Sequence, residues 1–239
     1  MNKIQGDNVL RGCLLILLVF VFHLSSFSSA YAAPCYGTHM PEKKHWTWGV
    51  EGNVIVDRNV DNDRGGVSVN KYFLTGSYGI LPWFCFDGKI GVGDVRWDRA
   101  SNSGLSYDTG FAGGYWFRIK GPGSEKWGMK SAAGFQHISV HPEASNQDNV
   151  KHETIIDEWQ GSVVVSKDIG RFVPYAGARY GSADFIKWEN EHDRKRIQSE
   201  KYYGAVVGLD IRLNKRLKAN LECCFIDGEE IAAGVSCDF

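Results

Sequence analysis

Ile231-Ala232-Ala233-Gly234-Val235-Ser236-Cys237-Asp238-Phe239 ends the chain, and its side chains fall into two rows. Counting back from Phe239, Cys237, Val235, Ala233 and Ile231 share one face, while Asp238, Ser236, Gly234 and Ala232 share the other. Successive side chains of a β-strand point to opposite faces, so this alternation marks a strand with one apolar side. The segment before it repeats the pattern, with Leu217, Ala219, Leu221, Cys223 and Phe225 against Lys218, Asn220, Glu222 and Cys224. Earlier again, Tyr203, Ala205, Val207, Leu209, Ile211 and Leu213 alternate with Gly204, Gly208, Asp210 and Arg212, Val206 being the one apolar intruder. One face of each strand suits hydrocarbon and the other is small or polar.

Working upstream predicts ten strands: Trp46–Val56, Val67–Ile80, Phe84–Trp97, Tyr107–Ile119, Trp127–His141, Thr154–Ser166, Phe172–Phe185, Lys201–Leu213, Leu217–Ile226 and Glu230–Phe239. A tilted transmembrane strand needs about 9–11 residues, and these are that long or longer. Short links at Leu81-Pro82-Trp83, Gly121-Pro122-Gly123, Asp168-Ile169-Gly170 and Asn214-Lys215-Arg216 alternate with longer polar ones near Asn59–Gly66, Arg99–Ser106, Pro142–Glu153 and Glu189–Glu200. Only Asp227-Gly228-Glu229 breaks the rhythm. Short periplasmic turns and long outer loops characterise membrane barrels, and an even strand count puts both chain ends in the periplasm. Trp46, Trp48, Trp83, Trp97, Trp116, Trp127 and Trp188 lie near expected strand ends, where an amphipathic indole favours the lipid–water interface. The expected fold class is therefore all-β: an antiparallel up-and-down transmembrane β-barrel of about ten strands, or eight if one hairpin lies outside the membrane.

Residues 1–32 read as an export signal. Lys3 and Arg11 precede the apolar run Cys13 to Phe22, and Ala30-Tyr31-Ala32 fits a small-x-small cleavage site. The expected organisation is signal peptide 1–32, periplasmic lead-in 33–45 and barrel 46–239, with the mature protein in the outer membrane. Pro34 directly before Cys35 argues against a lipidation site. Five cysteines remain after removal of the leader: Cys35, Cys85, Cys223, Cys224 and Cys237. The odd count excludes a fully paired monomer, and a bridge from Cys35 to Cys85 or Cys237 is left open. The net charge of -1 gives no reason to expect nucleic acid.

The terminal Phe239, its closing hairpin, and segments such as Gly88-Lys89-Ile90-Gly91-Val92-Gly93 and Val173-Pro174-Tyr175-Ala176-Gly177-Ala178 resemble the small outer-membrane β-barrel superfamily over nearly the whole mature chain. The resemblance implies recognition of the C-terminal strand by the barrel-assembly machinery through Phe239. It specifies fold and location but not function, since the superfamily spans adhesins, structural barrels, small pores and a few enzymes.

With the apolar rows outward, the lumen receives Glu51, Asn53, Asp87, Lys89, Arg118, Lys130, Glu158, Gln160, Asp210, Arg212, Lys218, Asn220 and Glu222. Both signs are present, as pairing of buried charges requires, and a filled or very narrow lumen is expected. Arg194-Lys195-Arg196 in an outer loop suits lipopolysaccharide phosphates, although a solvated hairpin tip explains it as well. Asp57, Asp61, Asp63 and Asp98 lack a calcium-loop spacing, and no cofactor or metal is expected. His192 with Asp193 suits omptin-like proteolysis by composition only.

One pair carries a speculative chemistry. His137 and Ser139 share a face of the fifth strand, with His141 continuing the row, and all are expected to face lipid. A serine beside an imidazole becomes a nucleophile if a carboxylate orients the base, and Glu143, Glu153 or Glu158 are the candidates. The His-x-Ser pair is similar to that of barrel-type lipid A deacylases, but Val140 follows where their pattern has Asn. The leading reading is a non-enzymatic barrel with a structural or surface-interaction role through its outer loops, in contact with outer-membrane lipids and lipopolysaccharide. A narrow passive pore, a deacylase-like enzyme and a soluble exported ligand-binding barrel are the alternatives.

Overall fold

The computed structural model describes residues 35–57, 66–98, 104–147, 149–190, 192–226 and 229–239. Its strands are β1 (Trp46–Asp57), β2 (Gly66–Leu81), β3 (Phe84–Asp98), β4 (Leu105–Lys120), β5 (Met129–His141), β6 (Ser145–Gln147), β7 (Val150–Lys167), β8 (Phe172–Glu189), β9 (His192–Gln198), β10 (Tyr203–Arg212), β11 (Leu217–Phe225) and β12 (Glu229–Asp238). Ten of them close an antiparallel barrel in the order β1-β2-β3-β4-β5-β7-β8-β10-β11-β12, with β12 pairing back onto β1 from Thr47↔Asp238 to Asp57↔Glu229. These are the ten expected strands, so the eight-strand variant is set aside. The two additions lie in the long connections: β6 pairs with β7, and β9 pairs with β8. Trp127 leaves the fifth strand for a single 3-10 turn, Glu125–Trp127, ended by left-handed Gly128.

The alternating pattern decides which way each side chain faces. Over the half of the barrel nearer the short turns, the outer surface carries Trp46, Trp48, Val50, Trp83, Phe86, Ile90, Phe117, Ile119, Val163, Leu221 and Val235, all exposed. Their rows are those that the sequence assigned to hydrocarbon. Trp46 and Trp48 stack at 5.4 Å, and Phe84 and Phe117 at 6.1 Å, in a belt at the short-turn end. Inside the same half lie Glu51, Asn53, Asp87, Lys89, Arg118, Gln136, Gln160, Arg179, Glu222 and Glu230, all buried.

Toward the long loops the polarity inverts. The inward residues become Val67, Val69, Val95, Trp97, Leu105, Tyr107, Ile138, Val140, Ile156 and Phe185, one contiguous apolar cluster in which each is at most 2% exposed. The outward residues become polar, among them Asn70, Asp94, Ser139, Asp157 and Asp184. β2, β4, β7 and β8 run 16 to 18 residues, longer than a bilayer crossing requires. The surplus stands beyond the apolar belt and packs as a soluble barrel does, with its core inside. A register shift between Gly93 and Val95 helps to build this core, because β4 gives an extra residue between Tyr107 and Gly110 and Tyr107 turns inward. Trp97 and Trp116, expected at the interface, are instead lumenal and 1% and 2% exposed.

Of the expected lead-in, residues 35–41 run inside the barrel, with Cys35, Thr38 and Met40 buried, whereas residues 42–45 are exposed at its short-turn rim. Lys43 bridges to Gly79 of β2, and Lys44 N–H donates to Gly79 O at 2.6 Å as the segment meets the wall. Gly37 is required at its position: it has φ +61°, and a Cβ would sit 2.6 Å from Asp210 Oδ2 and 3.1 Å from the Tyr175 ring.

Candidate functional site

Two features of this wall bear on function: the filled lumen and a polar cluster on its outer surface. In the lumen, most charges are met by an opposite charge. Lys71 Nζ lies 2.8 Å from Glu158, Arg118 clamps Asp87 through Nε at 2.8 Å and Nη2 at 2.5 Å, and Arg179 lies 3.4 Å from Glu230. Lys89 lies 3.7 Å from Glu51, donates to the Tyr36 hydroxyl and sits 4.2 Å over that ring. Asn53 donates to Glu230. Burying either sign alone would be prohibitive, whereas paired and hydrogen-bonded ions are tolerated.

The inner segment is bolted into this network. Glu222 accepts the backbone N–H of Cys35 at 2.7 Å and of Tyr36 at 2.9 Å, together with the Tyr175 hydroxyl at 2.6 Å. Arg118 donates to His39 O at 2.5 Å, Thr38 and Ser166 share a hydroxyl contact at 2.5 Å, and Tyr36 packs against Trp116 at 5.0 Å. A cavity of about 100 Å³ remains between the segment and the wall, bordered by Glu51, Asp87, Arg118, Asp210 and Lys218. His39 lies within reach of Asp238 and Lys218. Burial lowers its pKa, Asp238 opposes that effect, and the Lys218 ammonium adds to it.

Of the thirteen residues assigned to the lumen, nine are buried there: Glu51, Asn53, Asp87, Lys89, Arg118, Glu158, Gln160, Asp210 and Glu222. Lys218 and Asn220 are half-buried. Lys130 and Arg212 belong to the short-turn rim, where they bracket Asp168 in the β7–β8 turn, Lys130 at 2.8 Å. Partial burial pushes the Asp168 pKa up, but the two cations outweigh it and hold the carboxyl below the usual range. Lys71, Arg179, Glu230 and Gln136 are lumenal residues that the sequence reading passed over. Lys71 continues the inward row of Val67 and Val69, a signal the alternation contained.

On the outer wall, β5 and β7 bring together four polar side chains. Ser139 and Asp157 are register partners, with Ser139 Oγ donating to Asp157 Oδ1 at 2.5 Å and lying 2.8 Å from His141 Nε2. His137 Nε2 is 3.6 Å from the same carboxylate oxygen, and its ring stacks on Trp159 at 4.0 Å. His137 and Ser139 thus do face outward, but above the apolar belt, at the height where the wall turns polar. The acid beside them is Asp157; Glu158 faces the lumen on Lys71. His141, not His137, touches the serine. In this arrangement the hydroxyl proton is held by the carboxylate and the imidazole donates to Oγ, the reverse of what a base activating a nucleophile does.

Arg194, Lys195 and Arg196 lie on β9, exposed, with Arg196 paired to Asp184 and Arg194 5.5 Å over the Trp188 ring. Asp61, Asp63 and Asn59 lie outside the described residues, and the side chains of Asp57, Asp98, His192 and Asp193 do as well. Among the described residues no group of three or more metal-ligating side chains converges.

No protein-family model and no curated protein matches the chain. Among solved structures it is similar to the translocator domain of the autotransporter NalP from Neisseria meningitidis, at 9% identity over 84% of this chain and 89% of that one, TM-score 0.46. It is also similar to the outer membrane protein OprG from Pseudomonas aeruginosa, at 8% identity over 85% and 99%, TM-score 0.41. A third is Ail, the attachment invasion locus protein of Yersinia pestis, at 8% identity over 82% and 99%, TM-score 0.40. At such identities function does not transfer. The chain itself is a closed ten-strand antiparallel barrel, apolar outside and polar within over the half nearer the short turns.

Proposed function

We propose that the protein is exported by cleavage of residues 1–32 and works in the outer membrane as a closed, non-enzymatic barrel that presents its long-loop end to the outside. The observation that carries this reading is the double closure of the lumen. The apolar cluster around Trp97, Tyr107 and Phe185 fills the long-loop half, and residues 35–41 occupy the short-turn half. A buried apolar core and a chain segment packed into the lumen both oppose the passage of hydrated ions. With conduction disfavoured, what the barrel offers is its protruding rim. There Arg194, Lys195 and Arg196 suit the phosphates of neighbouring lipopolysaccharide through charge-assisted hydrogen bonds. The apolar row of β12 ending at Phe239 is the strand available to the assembly machinery.

Two measurements test this. Membrane fractionation with heat-modifiability gels is expected to place the protein in the outer membrane, migrating faster unheated than boiled. Planar-bilayer recordings of the purified barrel are expected to stay at baseline. Stepwise conductance would replace the scaffold with the passive pore, and a detergent-free soluble protein would discard the membrane reading.

A further inference from the structure

Five cysteines remain beyond the leader, and the fold sorts them by face. Cys223 and Cys237 lie in the outward rows of β11 and β12, among Leu221, Ile231 and Val235. That face separates Cys237 from the lumen and removes it as a partner for Cys35. Cys85 is inward but sits beside Asp87 near the short-turn end, its thiol donating at 3.7 Å. Cys35 and Cys224 are different. They share one buried cluster with Ala132, Val164, Tyr175 and Val206, at 1% and 4% exposure. The same oxygen, Glu222 Oε1, accepts the Cys35 N–H at 2.7 Å and the Cys224 thiol at 3.3 Å. No other pair of cysteines in the described residues converges on one atom. The shared oxygen holds the Cys35 nitrogen and the Cys224 sulfur within about 6 Å of each other. Both are free thiols in this structure, with Gln160 donating to the Cys35 sulfur at 3.5 Å, so the bond requires the Cys35 side chain to turn from Gln160 toward Cys224 and the two Cα atoms to lie about 4.4–6.8 Å apart.

We propose that Cys35 and Cys224 form a disulfide that pins the inner N-terminal segment to the wall of the barrel. In the cell the bond rests on the export reading above, because exported chains meet an oxidising compartment. The oxidant is a protein disulfide of a dithiol oxidase. One cysteine thiolate attacks a sulfur of that disulfide, giving a mixed disulfide and releasing one oxidant thiolate. The second cysteine, as thiolate, then displaces the other oxidant sulfur. The two cysteines lose two electrons and two protons, and the oxidant leaves as a dithiol. The exchange belongs to the chain before the barrel closes. Once folded, neither sulfur is accessible to an oxidant.

The bond would tie the segment ahead of β1 to β11, so nearly the whole wall lies within the covalent loop. Its consequence is that the short-turn half of the lumen stays filled even when the hydrogen bonds to Glu222 open transiently.

The test uses the mature chain, refolded from denaturant into detergent micelles with a glutathione/glutathione disulfide buffer. The folded fraction is taken by its compact unheated migration, then unfolded and alkylated with iodoacetamide without reductant. Mass spectrometry is expected to find label on Cys85, Cys223 and Cys237 only, with a peptide pair joined through Cys35 and Cys224. Cys35→Ser and Cys224→Ser should each return a barrel whose remaining cysteines are all alkylated. Five labelled cysteines in folded wild type, or Cys35 joined to any other cysteine, overturns the proposal. Because the oxidation is done in vitro, its outcome is independent of whether the protein is exported, which fractionation decides separately.

Discussion

Lys71 and Glu158 offer the sharpest test of how the lumen is held. Their charged atoms are 2.8 Å apart, with 0% and 5% of the two side chains exposed. At an effective dielectric near 20 the attraction is ~6 kcal/mol. Removing two ions from water costs several kcal/mol each, so the pair is close to neutral overall. The asymmetry appears when one partner is removed. Lys71→Met leaves a carboxylate buried without its cation, and Glu158→Met leaves the ammonium, each expected to cost about 3–5 kcal/mol. Lys71→Met/Glu158→Met replaces both with flexible apolar side chains, next to an apolar cluster that begins one inward position away at Val69 and Ile156. That double variant is expected to regain most of the loss, a coupling of about 3 kcal/mol or more, where independent sites would simply add. Urea unfolding in lipid vesicles, followed by fluorescence of the eight Trp residues, reads all four stabilities. If the single variants cost under about 1 kcal/mol, or the double variant loses their sum, the claim that paired charge holds the lumen is refuted.

Three further expectations follow from named contacts. Phe185→Ala opens a cavity beneath Trp97, 5.6 Å away ring to ring, and should cost about 3–5 kcal/mol in the same unfolding assay; bilayer current should stay at baseline, because residues 35–41 still occupy the other half. Ser139→Ala and Asp157→Asn should leave lipid A acylation unchanged by mass spectrometry and shift stability by no more than about 1 kcal/mol each, as solvated surface polar contacts do; a lost acyl change would restore the enzyme reading. His39 faces Asp238 from β12, Lys218 from β11 and Arg118 from β4, and its folded pKa lies below the ordinary 6.5. Its contribution to seating the inner segment is therefore present above pH 6.5 and lost as pH falls through the depressed value, so protease cleavage within residues 35–45 should rise on acidification and His39→Gln should flatten that rise.

What the sequence determined by itself was the strand set and the outer surface of the membrane half. Period-two alternation is a local property, so Leu217 to Phe225 and Ile231 to Phe239 disclose their faces without any knowledge of neighbours. The short turns at Pro82 and Ile169 mark strand ends for the same reason, and nine of the thirteen lumenal assignments rest on that parity. The tertiary structure decided everything that depends on height along the barrel or on a partner from another strand. Alternation says that Trp97, Tyr107 and Phe185 oppose their polar neighbours; it does not say which side water is on. That is set by how far each strand outlasts the bilayer, and beyond the belt the apolar side turns inward because the outside is wet. The β4 bulge reverses parity within an otherwise regular strand, which no alternation count across it detects. Asp157 meets Ser139 only through the β5–β7 register, and Cys35 meets Glu222 across nearly the whole length of the described chain. Residues 35–41 carry no period that announces an inner segment; in the lumen Glu222, Arg118 and Lys89 each bind a group of that segment in addition to a partner in the wall.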